Sequence, residues 1–257
     1  NKVKKGLGKR LNKWINEHHA DRIIAVSPAA KENLTDAGIS SDLIDVIMNG
    51  IEPIQMLSAE ARTEQRKKYC DENVFLAAIL ARIEDYKGHI TILDAAKQLM
   101  DKGLKFKILI AGTGTFEEQA KQHAQSLQLG DTVSFLGFVK DVTSLLNVLD
   151  VQLNASYGTE ATSISLLEGM SIGLPAVVSD YGGNPWLIED GKTGFVFKRK
   201  DASSLAACLE KLICDKQLLL SMHDSCRDTF YAKYTGQIFA KNTEEVYIKT
   251  LEGKHHD

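Results

Sequence analysis

The sequence predicts an α/β fold built on a doubly wound, parallel six-stranded sheet. From residue 59 onward, short apolar segments of strand length alternate regularly with longer segments of helical periodicity. This rhythm is typical of a parallel sheet covered by helices on both faces. Six such strands make a complete doubly wound domain. The chain has 257 residues, of which 44% are hydrophobic, so it can bury a sizeable core.

The segment before residue 59 predicts two helices and two short strands. Residues 2–16 carry apolar side chains at helical spacing among six lysines and arginines, the pattern of an amphipathic helix. Residues 21–27 predict a buried strand. Residues 28–37 begin with proline and are followed by glycine, as expected of a helix. A second strand is predicted at residues 45–48, before an Asn-Gly turn.

From residue 59 the predicted elements alternate in order. The strands are predicted at residues 74–80, 106–111, 132–136, 151–154, 176–179 and 195–197. The helices between them are predicted at residues 90–101, 116–127, 142–149, 163–172 and 185–189, and three more follow at residues 202–214, 216–231 and 237–251. Since parallel strands end at one edge of their sheet, the loops at that edge are where a ligand is expected to bind.

Composition argues against several classes of protein. A net charge of −3 disfavours nucleic acid as a partner. No apolar run reaches the ~20 residues of a membrane-spanning helix, and the first residues lack the apolar core of a secretory signal. The four cysteines show neither C-x-x-C nor Cys/His zinc spacing. Free thiols in a reducing cytoplasm are therefore expected, at Cys70, Cys208, Cys214 and Cys226.

One short segment holds the densest set of chemically informative residues. Glu160 and Glu168 are separated by seven residues, and Thr162 and Ser163 are suitable N-cap residues before an apolar helical face. The backbone amides of Thr162, Ser163 and Ile164 should therefore emerge from a helix N-terminus, where a phosphate binds well. Two acids beside a phosphate site suggest a ligand with hydroxyl groups at both ends, such as a nucleotide sugar.

Cations and a glycine turn are predicted at the same edge of the sheet. Arg82 and Lys87 follow the first strand of the sheet. They suit a diphosphate, the arginine as a planar fork and the lysine as a point charge; solvated surface cations are the alternative. Gly112 and Gly114 follow the second strand. Because the third glycine is missing, they do not make a dinucleotide-binding fingerprint, and by themselves they predict a tight strand-to-helix turn.

These motifs resemble those of a known enzyme family. Glu160-x7-Glu168, and the run Gly-Leu-Pro-Ala-Val-Val-Ser-Asp-Tyr-Gly-Gly-Asn-Pro that follows it, are similar to the E-x7-E signature of the retaining glycosyltransferases of family 4. That family has the two-domain GT-B architecture. Arg82-x4-Lys87 with the glycine after it matches the family's R-x4-K-G element, and residues 135–139 are similar to its F-L-G-x-V element.

The resemblance implies roles for the residues that match. Glu168 would accept hydrogen bonds from the ribose hydroxyls. Glu160 would contact the donor sugar near its anomeric end and stabilise cationic character there. Gly112 and Gly114 would let the backbone pass close to the nucleotide.

The resemblance also implies how the base and the diphosphate are bound. The backbone at Phe138 and Val139 would contact the base. No D-x-D occurs in the sequence, so no metal is expected, and Arg82, Lys87 and the helix N-terminus would neutralise the leaving diphosphate. No cofactor is expected beyond the nucleotide-sugar donor, with UDP-sugar favoured over GDP-sugar.

The same resemblance divides the chain into parts. Residues 1–52 would be a remnant of the N-terminal, acceptor-side domain, and residues 53–58 the hinge. Residues 59–235 would be the nucleotide-sugar-binding domain, and residues 236–257 would include a helix that crosses back toward the N-terminal domain. Two strands are too few for an independent Rossmann half, so a fragment of a longer protein is expected, with little or no sugar transfer by the chain alone.

The predicted function is transfer of a hexosyl group, with retention, from a nucleotide-diphosphate sugar to a glycan or lipid-linked acceptor. The acceptor would bind through the absent N-terminal domain. The basic helix 2–16 fits either contact with the inner face of an anionic membrane or packing on its own domain. The alternatives are a nucleotide-sugar epimerase of the same architecture, which the E-x7-E spacing disfavours, and a binding module without catalysis.

Two positions depart from the family pattern. Ala161-Thr162-Ser163 stands where many members have Gly-Phe-Gly, and Trp186 stands where a glutamate is usual. The first departure predicts altered sugar contacts. The second leaves the role of the Gly-Gly turn before Trp186 open.

Overall fold

The structure is a computed structural model that describes residues 13–16 and 18–254. The amphipathic helix predicted at residues 2–16 therefore lies outside the described residues, except for 13–16, which are helical. None of the helices in the described part has the length and apolar character that a membrane crossing needs.

Two parallel sheets organise the described chain. The small sheet pairs β1 (Ile23–Ala25) with β2 (Ile44–Val46). The large sheet consists of β3 (Phe75–Leu80), β4 (Phe106–Ala111), β5 (Val133–Gly137), β6 (Val151–Asn154), β7 (Ala176–Ser179) and β8 (Gly194–Phe197). Its order is β5-β4-β3-β6-β7-β8, and all neighbouring strands are parallel. The predicted α/β fold with a six-stranded parallel sheet is confirmed.

Helices cover both faces of the large sheet. From residue 20 onward the α-helices are α1 (Pro28–Asp36), α2 (Ala59–Arg66), α3 (His89–Asp101), α4 (Glu117–Ser126), α5 (Val142–Leu146), α6 (Ile164–Ser171), α7 (Asn184–Leu187), α8 (Ala202–Cys214), α9 (Lys216–Lys233) and α10 (Gly236–Lys254). On β3, Ala77 and Ile79 pack with α3 and α8, whereas Leu76 and Ala78 pack with α5 on the opposite face. Burial on both faces explains why the strand is apolar throughout.

The element bounds agree with the predicted ones within three residues, apart from one missed helix. The helix predicted at 142–149 ends at Leu146. The amides of Val148 and Leu149 bond to carbonyls three residues back, and this tighter turn places both side chains in the core. The missed helix is α2, whose only apolar residues are alanines, so its sequence lacks helical apolar periodicity. Ser58 caps it through its side chain.

Specific hydrogen bonds hold the segment between the two sheets. The Asn147 side chain accepts from the Leu57 amide (2.8 Å) and donates to the Gln55 carbonyl (2.9 Å). At the start of α10, the Gly236 amide donates to the carbonyl of Ile51 (2.9 Å). The predicted domain boundaries and the hinge stay predictions.

Candidate functional site

The candidate site lies at the carboxyl edge of the large sheet, where the strand order reverses. β3 and β6 are neighbours at the centre, and successive strands extend from them in opposite directions. Such a reversal leaves a crevice between the loops that follow the two central strands. The loop after β3 carries Arg82 and Lys87, and the loop after β6 carries Glu160. The topology thus brings these predicted residues to one place.

The Glu160 carboxylate is anchored through one of its two oxygens. Its Oε2 accepts from Lys87 Nζ at 2.7 Å, from Ser156 Oγ at 2.9 Å and from Asn154 Nδ2 at 3.4 Å. Only 15% of the Lys87 side chain and 8% of the Glu160 side chain are exposed. In the described part of the chain, Oε1 accepts no hydrogen bond. One oxygen is therefore saturated with donors and the other is available to a ligand.

A buried polar network supports this carboxylate from behind. The Asn154 side chain accepts from the Ser156 amide at 3.1 Å. Ser179 Oγ donates to the Ser156 carbonyl at 2.5 Å, and Asn184 Nδ2 donates to Ser179 Oγ at 3.3 Å. All four residues are buried. The sequence analysis missed them, although their position at or beyond the ends of β6 and β7 was a usable signal.

Arg82 and Lys87 flank the ring of Tyr86. Arg82 is exposed, and its guanidinium donates to the Tyr86 hydroxyl at 2.8 Å. The Lys87 ammonium lies 5.9 Å from the centre of the same ring, and its carboxylate partner is Glu160. The structure therefore brings both cations to the crevice, but Lys87 forms an ion pair with the Glu160 carboxylate and does not pair with Arg82 around a shared anion.

The start of α6 leaves its first amides without a side-chain cap. Ser163 occupies the N-cap position but its side chain makes no capping bond; its hydroxyl lies 3.2 Å from that of Ser165. Thr162 instead donates to the Val26 carbonyl at 2.8 Å. Ser163 is thus the N-cap residue, as predicted, but neither of the two side chains makes a capping hydrogen bond. The amides of Ile164 and its neighbours remain available to an anion, and their role as a phosphate site stays a prediction.

Glu168 lies one and a half turns into α6 and is half-buried. Burial raises the pKa of its carboxyl group. Within the described residues no side chain forms an ion pair or hydrogen bond with its carboxylate, and Ser171 Oγ donates instead to the Glu168 carbonyl at 2.7 Å. A half-buried carboxylate whose oxygens have no partner suits a ligand that carries hydroxyl groups.

Gly112 and Gly114 allow the loop after β4 to pack on the loop after β3. A Cβ atom at Gly112 would lie 2.0 Å from the Ala81 carbonyl oxygen, and one at Gly114 would lie 2.1 Å from that of Ile83. Gly112 also has a φ of 146°, which favours glycine. The protein's own backbone thus accounts for both glycines, and their contact with a nucleotide stays a prediction.

Phe138 and Val139 follow β5, and their side chains differ in exposure. The Phe138 side chain is 80% exposed, whereas Val139 packs against the core cluster that contains α5. Gly137, with a φ of 66°, turns the chain there, and its carbonyl accepts from the Gly112 amide at 2.8 Å. The predicted backbone contact of both residues with a base stays a prediction.

The Gly-Gly turn before Trp186 supports the backbone that carries Glu160. The Gly183 amide donates to the Glu160 carbonyl at 3.1 Å. A Cβ atom at Gly182 would lie 2.0 Å from that carbonyl oxygen, and one at Gly183 would lie 1.5 Å from the carbonyl oxygen of Ala161. Trp186 accepts from the Tyr234 hydroxyl through its carbonyl, at 3.1 Å, and its side chain is 53% exposed. The turn therefore positions Glu160, and the tryptophan side chain takes no part in that contact.

His89 begins α3 directly after the Lys87-Gly88 pair and is buried. Burial lowers its pKa to about 4, and the nearby Lys87 charge acts in the same direction, while the backbone of Glu84 opposes both. The ring is therefore neutral at pH 7. It was not singled out from the sequence.

The burial of His89 predicts a loss of stability on acidification. An unfolded chain takes up this proton near pH 6.5, and the folded chain near pH 4. Between these values the unfolded state binds more protons, so lowering the pH favours unfolding by up to about 3 kcal/mol. Urea unfolding from pH 7 to 4 should show this slope in the wild type and lose it in His89→Gln. Parallel stability curves would contradict the assignment.

No metal-binding cluster was found in the part of the chain that the structure describes: no three His, Cys, Asp or Glu side chains are arranged to hold an ion there.

Two protein families match the chain. The family described as glycosyl transferases group 1 matches residues 61–229, and the one described as glycosyltransferase family 4 matches residues 1–55. The first match contains Lys87, Glu160 and Glu168.

Curated relatives align over much of the chain. N-acetyl-alpha-D-glucosaminyl L-malate synthase of Bacillus anthracis is 24% identical over 270 residues, which are 97% of this chain and 71% of the relative. UDP-Gal:alpha-D-GlcNAc-diphosphoundecaprenol alpha-1,3-galactosyltransferase of Escherichia coli is 27% identical over 255 residues, which are 96% of this chain and 65% of the relative. The putative colanic acid biosynthesis glycosyltransferase WcaL of Salmonella typhimurium is 34% identical over 137 residues. These residues are 51% of this chain and 34% of the relative. The chain thus spans a third to about 71% of these relatives.

Solved structures share the fold. Anabaena Alr3699/HepE in complex with UDP matches with a TM-score of 0.87 at 23% identity, over 94% of this chain and 67% of that chain. The same protein in complex with UDP-glucose matches with a TM-score of 0.86 at 22% identity, over the same shares of the two chains. The predicted GT-B fold class is confirmed, and identity at this level shows the fold alone.

Proposed function

Because this chain belongs to the group 1 glycosyl transferases, we propose that it is the donor-binding part of a retaining glycosyltransferase. The enzyme would transfer a hexosyl group from a nucleotide-diphosphate sugar to a glycan or lipid-linked acceptor in polysaccharide or glycoconjugate synthesis. The donor would bind in the crevice between the loops after β3 and β6, without a metal.

One observation carries this proposal. Two acids with seven residues between them differ sharply in their surroundings, one in the loop after β6 and the other on α6. Glu160 is anchored by Lys87 and two further donors on one oxygen, whereas Glu168 is half-buried and its carboxylate has no partner among the described residues. Such a pair suits a ligand that has hydroxyl groups at both ends and a diphosphate between them.

We assign the nucleotide half of the donor to α6. The Glu168 carboxylate would accept hydrogen bonds from the two ribose hydroxyls. The uncapped amides at Thr162, Ser163 and Ile164 would bind the diphosphate, because helix N-termini favour anions. Arg82, in the loop after β3, is exposed and would turn from the Tyr86 hydroxyl toward the same charge.

We assign the sugar half to Glu160 and Lys87. With Oε2 saturated, Oε1 is the atom that would face the sugar. Three donors on a single oxygen make Glu160 better suited to orient the sugar and stabilise positive charge at the anomeric carbon than to attack that carbon. Lys87 lies 2.7 Å from Glu160 and would share its charge between this carboxylate and the diphosphate.

The proposed reaction retains configuration through attack on the same face. The bond between the anomeric carbon and the diphosphate oxygen breaks, and a bond from that carbon to the acceptor oxygen forms. The leaving diphosphate takes up the proton of the acceptor hydroxyl. Arg82, Lys87 and the start of α6 would stabilise the developing charge, each well-placed donor by about 3 kcal/mol.

The identities of relatives support UDP as the nucleotide. The Anabaena structures contain UDP and UDP-glucose, and the name of the Escherichia coli relative specifies UDP-Gal and a diphosphoundecaprenol acceptor. A UDP-sugar and a glycan or lipid-linked acceptor are therefore proposed for the present protein. Membrane contact through residues 2–16, a cytoplasmic location at the inner membrane face and weak transfer by the chain alone stay predictions.

Titration calorimetry in the presence of a chelator tests the donor site. We expect the chain to bind UDP more tightly than GDP, and Glu168→Ala to weaken UDP binding about 10- to 100-fold by removing two charge-assisted hydrogen bonds. UDP-glucose, UDP-galactose and UDP-N-acetylglucosamine are titrated in parallel to identify the sugar.

Glu64→Ala is the matched control for this experiment. Glu64 is an exposed helical glutamate on α2, and α2 packs beside the residues that precede β6, at the other edge of the sheet. The Glu64→Ala variant should bind UDP like the wild type. The absence of UDP and GDP binding at millimolar concentration would contradict the proposed site, and equal binding by Glu168→Ala would contradict the ribose contact.

A further inference from the structure

The loop that carries Glu160 is held by three neighbouring loops. The Tyr157 amide donates to the Tyr86 carbonyl, in the loop after β3, at 2.8 Å. The Gly183 amide, in the loop after β7, donates to the Glu160 carbonyl at 3.1 Å. The third contact comes from the loop after β8, and neither the sequence motifs nor the proposed function account for it.

This third contact places a lysine over the ring of Tyr157. Lys200 Nζ lies 3.9 Å from the ring centre, a close cation–π arrangement. Tyr157 is half-buried. Burial, followed by the nearby Asp85 carboxylate, raises the tyrosine pKa to about 12. Tyr157 thus links the loops after β3, β6 and β8, three residues before Glu160.

Backbone strain in the loops after β6 and β8 accompanies the contact between Lys200 and Tyr157. Thr159 has a φ of 54° and Lys200 a φ of 61°; with Gln128 they are the non-glycine residues at positive φ in the described chain. This region favours glycine, and other residues occupy it at a cost that the surrounding structure offsets. At Lys200, a glycine would satisfy the turn but would remove the contact with Tyr157.

We propose that Lys200 and Tyr157 are positioning residues that fix the Glu160 loop for the sugar half of the donor. The inference rests on the proposed function. Neither residue is among those assigned to the donor, so both act through Glu160. Because Glu168 and the start of α6 lie beyond this loop, the contact should affect recognition of the sugar and leave recognition of UDP unchanged.

The test separates the lysine side chain from its backbone conformation. Lys200→Gly relieves the positive φ and removes the cation, Lys200→Met removes the cation alone, and Lys200→Arg keeps it. Tyr157→Leu removes the ring. Lys211→Met is the matched control, because Lys211 lies 5.2 Å from the ring centre of Phe195, away from the Glu160 loop.

Two readouts are expected to change together. Affinity for the best-bound of the three UDP-sugars should fall about three- to tenfold in Lys200→Gly, Lys200→Met and Tyr157→Leu, while affinity for UDP stays within twofold of wild type. Hydrogen–deuterium exchange should rise at residues 157–161 and stay unchanged in α3 and α8. Lys200→Arg and Lys211→Met should behave like the wild type.

Unchanged exchange and unchanged UDP-sugar affinity in Lys200→Met and Tyr157→Leu would overturn the proposal. Equal weakening of UDP and UDP-sugar, with faster exchange throughout the domain, would also overturn it, since that result describes general destabilisation. If the wild type binds neither UDP nor any UDP-sugar, the proposed function fails. Exchange at residues 157–161 then still supports or overturns the lysine–tyrosine contact by itself.

Discussion

Replacing Lys87 with methionine should destabilise the folded chain by about 3 kcal/mol, because it leaves the Glu160 carboxylate buried without its cation. The two side chains are 15% and 8% exposed and lie 2.7 Å apart. Ser156 and Asn154 would still donate to the carboxylate, so the Lys87→Met variant should remain folded at 25 °C. We also expect UDP-sugar binding to be lost, since Lys87 is proposed to serve both Glu160 and the diphosphate. Urea unfolding and calorimetry measure the two effects.

A double-mutant cycle isolates the ion pair from the other effects of the substitution. Glu160→Gln in the Lys87→Met background should recover part of the lost stability, since a neutral amide replaces the unpaired charge. The comparison is Lys67→Met, which breaks an exposed pair with Glu64 and should change stability by less than about 1 kcal/mol. Additive effects of the two site substitutions would show that the pair is not coupled.

The Lys87–Glu160 pair also shows where prediction from the sequence ended. Both residues were expected at the crevice, and the parallel topology does bring them there. Their predicted roles placed one on the diphosphate and the other on the sugar. Without a ligand, a cation and an anion in one crevice neutralise each other, and motif spacing does not contain that contact. Binding of a donor must therefore rearrange or share this ion pair.

The fold was more predictable than the support of the site. The strands are continuous apolar runs because they are buried on both faces, so their sequence marks them directly. The polar network behind Glu160 is different. Ser156, Ser179 and Asn184 are individually ordinary polar residues, and only tertiary packing makes them consecutive hydrogen-bond partners. The sequence does not reveal the contact between Lys200 and Tyr157 for the same reason, since 42 residues and two strands lie between them.

The glycines were less predictable than the strands and more predictable than the polar network. Their spacing was visible and suggested turns, but the reason for each is a close approach that the sequence does not specify. Gly112 and Gly114 lie against the carbonyls of Ala81 and Ile83. The Gly-Gly turn before Trp186 lies against the backbone at Glu160 and Ala161, which explains why that turn matters although Trp186 replaces the usual glutamate.

Gly183→Ala should therefore displace the Glu160 loop, although alanine fits the local backbone conformation. Gly183 has a φ of −81°, which any residue adopts, but its Cβ atom would lie 1.5 Å from the Ala161 carbonyl oxygen. Since that neighbour is backbone, relief requires the loop to move. We expect a loss of about 3 kcal/mol in unfolding free energy and loss of the extra affinity that the sugar gives over UDP.

Gly103→Ala provides the reverse case. Gly103 has a φ of 74° and nothing within 4 Å of the added atom. The Gly103→Ala variant should therefore lose about 1 kcal/mol of unfolding free energy and bind donors normally. If Gly183→Ala matched Gly103→Ala in both measurements, backbone contact at the Gly-Gly turn would not be what positions Glu160.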